Sequence, residues 1–268
     1  MYTPAQMLRF GAFWGTILAI LALAMHEQAH AGSVQVVVAR YNEDLDWVRL
    51  LPFRNVVVYD KGDGSGGFGP GAVPDWVTVV RLPNVGREGH SYLWHIHAKY
   101  DRLADVTVFL PGSAASIQGK WVKARWVVDH VCRTGCSAFP SIRAPGGLER
   151  HFAAFEIHEY TATDPRNQVG SSADLLPSDV RPFGSWYAAH GFATGVEWVT
   201  MQGIFAVSRH HIHQRTREEY RRLLAQVAGH NNPETGHFLE RVWHAVFHPL
   251  PRKSIGVYNP ETDNFVGL

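Results

Sequence analysis

Residues 82–93 read Leu-Pro-Asn-Val-Gly-Arg-Glu-Gly-His-Ser-Tyr-Leu and bring Arg87, Glu88 and His90 to one short corner of the chain. A guanidinium can grip a phosphate or carboxylate through two parallel hydrogen bonds, and the backbone N–H groups of a starting helix favour the same anions. The competing reading is an ordinary loop with a surface arginine. Other residues of chemical interest are spread along the chain. His237, Glu240 and His244 recur at steps of three and four, and His210, His211 and His213 crowd together. Neither group has a recognised metalloprotease spacing. In a chain with 16 histidines, chance clusters with structural or solvated roles are expected. No Gly-x-Ser-x-Gly elbow is present, and Val207 and Arg209 around Ser208 do not make the sharp glycine turn of a nucleophilic serine. Glu197 and Glu240 would suit an exported hydrolase only if they faced each other about 5 to 10 Å apart across one cleft.

The elements that must position these groups alternate between strand and helix. Apolar β-branched runs predict strands over 34–39, 56–59, 77–80 and 106–110. Asn42 is placed to cap a helix with Glu43 and Asp44 in its first turn, Leu45, Val48 and Leu51 facing inward, and Pro52 as its stop. After the third strand, Pro83, Asn84 and Gly86 break the pattern, and Leu93, Ile96, His97 and Tyr100 predict a helix over 92–103. The glycine-rich stretch 62–71 reads as a loop, and 146–184 as long loops over the sheet. A further strand is predicted at 204–207. Thr216 and Glu219 form a capping-box pair for a helix burying Tyr220, Leu223, Leu224 and Val227. A last helix over 233–247 should bury Phe238, Leu239, Val242, Trp243 and Val246, leaving His237, Glu240, Arg241 and His244 on the opposite, polar stripe.

This order predicts one α/β domain over 32–268, a mostly parallel, doubly wound sheet flanked by helices. Ligands of such sheets bind beyond the carboxyl ends of the strands. Those ends read 40–43, 60–62, 84–87 and 111–113, and all four are polar.

Length and composition narrow the class. A chain of 268 residues with 46% hydrophobic content can build one large core. A net charge of +1, with Lys and Arg scattered, gives no field for nucleic acid. Arg9 precedes an uncharged apolar run over 10–25, which fits a signal peptide or a retained signal anchor attaching the protein to a membrane. Ala29-His30-Ala31 offers small residues at the positions a signal peptidase reads, giving a mature chain from Gly32. Both readings place the domain in the secretory pathway, the periplasm or the extracellular space. Cys132 and Cys136 could then form a disulfide across a tight turn, or remain half-buried thiols.

Five blocks together carry a resemblance: 37–45 (Val-Val-Ala-Arg-Tyr-Asn-Glu-Asp-Leu), 82–93, 105–112 (Asp-Val-Thr-Val-Phe-Leu-Pro-Gly), 202–209 (Gln-Gly-Ile-Phe-Ala-Val-Ser-Arg) and 237–243 (His-Phe-Leu-Glu-Arg-Val-Trp). In this order they resemble the domain of unknown function 3431 family, which is glycosyltransferase-like. The resemblance implies a GT-A nucleotide-diphospho-sugar transferase fold and, as partners, a nucleotide-sugar donor and a glycan or protein acceptor. On that reading Arg40, Asn42 and Glu43 line the nucleotide pocket, Arg87, Glu88 and His90 lie toward the diphosphate, and Glu240 deprotonates the acceptor hydroxyl. GT-A enzymes commonly carry Asp-x-Asp after the fourth strand to hold a divalent cation; this chain has Leu110-Pro111-Gly112-Ser113 there, so no such cation is predicted. The same departure suits a non-catalytic glycan- or nucleotide-binding module.

Overall fold

The computed structural model describes residues 32–64, 67–69, 73–158 and 175–268. The signal or anchor expected over 1–31 lies outside them. Among the described residues no helix is long and apolar enough to cross a membrane.

Strands β1 (Val34–Arg40), β2 (Val56–Asp60), β3 (Val77–Arg81) and β4 (Val106–Pro111) lie in the order β3-β2-β1-β4, all parallel. The β-branched runs of β1, β2 and β4 are buried on both faces of the sheet, as parallel strands under helices require, while β3, at the edge, leaves Val79 exposed. Val36 and Val38 pack on one side with Val56, Val58 and Val108; Val37 packs on the other with Val57, Phe109 and Tyr92.

Parallel pairing stops there. Strand β7 (Phe205–Ser208) joins the far side of β4 antiparallel, and a second, mixed sheet runs in the order β6-β5-β8-β9. Its strands are β5 (Phe139–Arg143), β6 (Trp198–Val199), β8 (Ile255–Asn259) and β9 (Asn264–Gly267). The two sheets touch through an antiparallel bridge between Ala138 and Ala206. The expectation of a mostly parallel sheet is thus corrected: one α/β domain holds two sheets that are only partly parallel.

Five helices of seven or more residues flank these sheets among the described residues: α1 (Arg87–Lys99), α2 (Gln118–Thr134), α3 (Phe183–Ala189), α4 (Arg217–Ala225) and α5 (Glu234–Val246). The capping box of α4 forms as read, Thr216 accepting from Glu219 N and Glu219 reaching back. The helix expected after β1 does not form. Glu43 folds its carboxylate onto Tyr41 N (2.7 Å), and Arg40 Nε donates to Glu43 O (2.9 Å), which locks 40–43 as a turn. Only a 3-10 helix at Asp46–Leu50 follows, although Leu45, Val48 and Leu51 are buried as predicted. Asn42 does not cap it and instead accepts from Asp63 N.

Helix α1 starts five residues earlier than its apolar periodicity suggested, because Gly86 (φ 59) and Arg87 (φ 51) are both left-handed and turn the chain abruptly into it. A side chain on Gly86 would also collide with Val227 O, 2.3 Å from its ideal Cβ position. Cys132 and Cys136 are half-buried thiols rather than a disulfide.

Candidate functional site

The sheet order reverses direction between β1 and β4, and a crevice at that point, beyond the carboxyl ends, is where open α/β sheets bind ligands. Here those ends meet the start of α1, the first turns of α2, the Gln202-Gly203 turn and the middle of α5.

Helix α5 carries the main correction to the sequence reading. Its apolar stripe is buried as expected, but the polar stripe is not a solvated face: His237 and His244 are buried too. The helix is enclosed on both sides, apolar groups against the core and polar ones against an internal polar layer. His244 Nε2 meets Ser141 Oγ at 2.7 Å and Thr200 Oγ1 at 3.1 Å, and His237 Nε2 meets Asn232 Oδ1 at 3.0 Å. The two histidines therefore serve different networks. His211 and His213 likewise bond Ser208 and the Tyr100 carbonyl. Burial, the largest cause, lowers His237 to about 4 and His244 to about 3, so both are neutral at physiological pH.

Glu240 sits between those networks and faces Glu88 of α1. The two carboxylates keep 22% and 24% of their side-chain surface open to solvent, so neither lies in a sealed core. Their protonation is driven apart. Burial raises Glu240, and the nearby negative charge of Glu88 raises it further, against the pull of Gln202 N–H, Arg241 and Arg87. Burial also opposes ionisation of Glu88, but Arg87, its own backbone N–H and Lys120 outweigh it and hold Glu88 below the usual carboxylate range. Two carboxyl groups in one cleft with divergent affinities for the proton are the arrangement that acid–base chemistry uses.

The surrounding groups are held firmly. Gln202 N donates to Glu240 Oε1 at 2.7 Å. Gln202 is left-handed (φ 71), a conformation costly for a residue with a side chain, and is followed by left-handed Gly203. A Cβ on Gly203 would lie 2.9 Å from Glu88 Cγ, and Tyr92 OH donates to Gly203 O at 2.9 Å. This strained turn thus packs against Glu88 while presenting an N–H to Glu240. Arg87 donates to Asn232 Oδ1 (3.4 Å), with its Nε 3.9 Å from Glu88. Beneath the α1 corner, Lys61 Nζ donates to both Val85 O and Arg87 O at 2.5 Å, spanning the left-handed turn. Burial lowers Lys61 to about 7, Glu88 working against that shift and Arg87 with it. From α2, Lys120 Nζ donates to Ser113 Oγ (2.8 Å) and Lys123 Nζ to Gln202 Oε1 (3.0 Å).

Arg87, Glu88 and Glu240, all singled out from sequence, therefore converge. His90 is buried and stacked on Trp94, its Nδ1 lacking a hydrogen-bond partner among the described residues, and burial with Lys61 nearby lowers it to about 4. Glu43 borders the same region on the β4 side, its Oε2 2.6 Å from where Gly112 would carry a Cβ. Arg40 and Asn42 turn the other way. Register aligns Arg40 with Asp60 and Asp60 with Arg81, and Asp60 pairs with both arginines at 2.9 and 2.7 Å, a ladder across three strands. Glu197 is held by Arg143 on an exposed edge (2.9 Å), and the carboxylate that acts on Glu240 is Glu88. Lys120, Lys123 and Asn232 had no signal beyond being single polar residues, and Gln202 appeared only as the first residue of a family block. Lys61 appeared only as part of a polar strand end.

Residues 198–258 match the model of a family described as protein of unknown function (DUF3431). The matched stretch covers β6, β7, α4, α5 and most of β8, and so includes Gln202, His237 and Glu240. It contains two of the five blocks that carried the family resemblance, 202–209 and 237–243. No curated protein and no solved structure matches the chain.

Proposed function

We propose that this protein is an exported or lumenal glycosyltransferase that takes a nucleotide-sugar donor in the cleft beyond β1 and β4. The observation that carries the reading is the Glu88–Glu240 pair, in which one carboxyl is kept ionised beside Arg87 and the other is made more basic within reach of solvent. The β3-β2-β1-β4 order with an antiparallel neighbour is compatible with a GT-A core.

In the reaction, Glu240 accepts the proton of an acceptor hydroxyl as the oxygen attacks the anomeric carbon. The bond from that carbon to the diphosphate oxygen breaks, its electron pair leaving with the diphosphate. Arg87 opposes the charge that builds there. The acceptor is a glycan or a protein hydroxyl.

A nucleotide-sugar panel read by thermal shift tests the proposal, because a ligand that binds only the native state raises its melting temperature. Stabilisation by a nucleotide sugar, followed by transfer to an acceptor, is the expected result. Stabilisation without transfer would favour a binding module, and a flat panel would overturn the reading.

A further inference from the structure

We propose that Lys61 is a positioning residue of the Glu88–Glu240 site: its ammonium fixes the left-handed corner from which Arg87 and Glu88 enter the cleft, and the cleft works only while that charge is present. The effect on transfer rests on the transferase reading; the clamp itself stands on the residues that follow.

Among the described residues only three with side chains are left-handed, Arg87 (φ 51), Gln202 (φ 71) and Asp263 (φ 45), and the first two flank the carboxylate pair. A residue held in that region persists only where its surroundings over-determine it, and such residues gather at sites that need close placement. At the Gly86–Arg87 corner those surroundings are visible. Gly86 N donates to His230 O at 2.7 Å, while Lys61 Nζ donates to Val85 O before the corner and to Arg87 O within it. Lys61 follows directly on β2, and its own N–H donates to Arg40 O at 2.9 Å, so the parallel sheet fixes its backbone. The clamp therefore ties the sheet to the first turn of α1, which carries Arg87 and Glu88.

A clamp that served folding alone would not need a charge, since neutral donors also bond carbonyl oxygens. Lys61 is 7% exposed, and three influences oppose an ammonium there: burial, the Arg87 guanidinium and the positive end of α1. Glu88 works the other way and favours the charge. His90 and Asp60 lie close by without changing that balance: burial keeps His90 neutral above about 4, and Asp60 is taken up by Arg40 and Arg81. Lys61 therefore gives up its proton at about 7. As an ammonium it makes charge-assisted bonds to both carbonyls and helps to hold Glu88 ionised; as an amine it makes weaker bonds, and the corner loosens. The protonated form is the working one, so transfer falls as pH rises through about 7.

The test follows the Glu88 carboxyl by carbon-13 magnetic resonance of the full-length protein, in a Glu240→Gln background that removes the other titrating carboxyl of the pair; Glu88→Gln assigns the signal. The expected result is a main step below the usual carboxylate range and a second, smaller step near 7. Lys61→Met should raise the main step and abolish the second. Lys61→Arg keeps the charge at every accessible pH, so its main step should stay low while the second disappears. Circular dichroism melting confirms that each variant folds. Absence of the second step with Lys61 in place, or its survival in Lys61→Met, would overturn the proposal. In transfer assays with Glu240 intact, Lys61→Met should lower kcat about tenfold to a hundredfold, and the decline above about 7 should vanish in both variants. Transfer with an unchanged rate and pH profile in both variants would sink the clamp and leave the transferase. A Glu88 signal that responds to Lys61 in a protein that binds no nucleotide sugar at any pH would do the reverse.

Discussion

Helix α5 carries two glutamates, six residues apart, with opposite fates. Glu234, in the first turn, is fully buried and fully answered: Ile157 N and Ser178 N each donate at 2.8 Å and Arg181 pairs at 3.0 Å. Glu240 has one backbone N–H, a distant Arg241 at 4.0 Å, and another carboxylate for a neighbour. The first arrangement fixes loops; the second leaves an electrostatic demand that a proton or ligand can meet. Burial alone therefore does not separate structural charges from reactive ones. The completeness of their partners does.

Exchanging the roles of these glutamates by mutation tests that distinction. The largest effect is expected at Glu240: Glu240→Gln should lower turnover about 10²- to 10⁴-fold with donor affinity little changed, while its melting temperature stays level or rises. Wild-type turnover would remove Glu240 as the base. Glu234→Ala should do the opposite, costing about 3 to 5 kcal/mol of stability, as loss of one partner of a buried ion pair does. Urea unfolding measures this, and a loss below about 1 kcal/mol would show that the clamp on 157 and 178 matters little.

Smaller effects sharpen the picture. Arg87→Ala should weaken nucleotide-sugar binding about tenfold or more, the loss of a charge-assisted contact, with folding intact by circular dichroism. Unchanged affinity would take Arg87 out of the donor site. The last prediction concerns pH. His90, His95 and His237 are lowered to about 4 by burial, so between about 4 and their ordinary 6.5 the unfolded chain binds more protons than the folded one. Their contribution to stability should be fully present above about 6.5 and lost as pH falls toward 4. Lys61 follows the same sign higher up, its contribution rising with pH from about 7 to 10.5. Melting temperatures across pH check both, and a Lys61→Met variant should flatten the upper limb only.

The parallel strands were legible because buried β-branched runs such as 34–39 and 106–110 admit few other structures. The corner at Arg87 was legible too, since Gly86 breaks one periodicity just before another begins. Reading failed where a rule about water was applied to a residue facing protein. The His237–Glu240 stripe looked solvated because it was polar, yet it lines an internal layer built by α1, α2 and the Gln202 turn. Lys61, Lys120 and Lys123 were missed because an isolated lysine says nothing until the acceptor across from it is known. Strand β7 ran antiparallel because its approach comes from the second sheet, through the Ala138–Ala206 bridge, a long-range pairing that local sequence does not encode.

The span of the carboxylate pair also bears on how the molecule is made. A ribosome delivers β1 to β4 and α1 first, and these can pair while the chain is still growing. Glu88 then waits in water, because the strand closing the far side of β4 and the helix bearing Glu240 emerge later. The site is therefore assembled only after the parallel strands, by the same stretch that matches the family. A chain cut short before α5 would keep much of its parallel sheet and have no site at all.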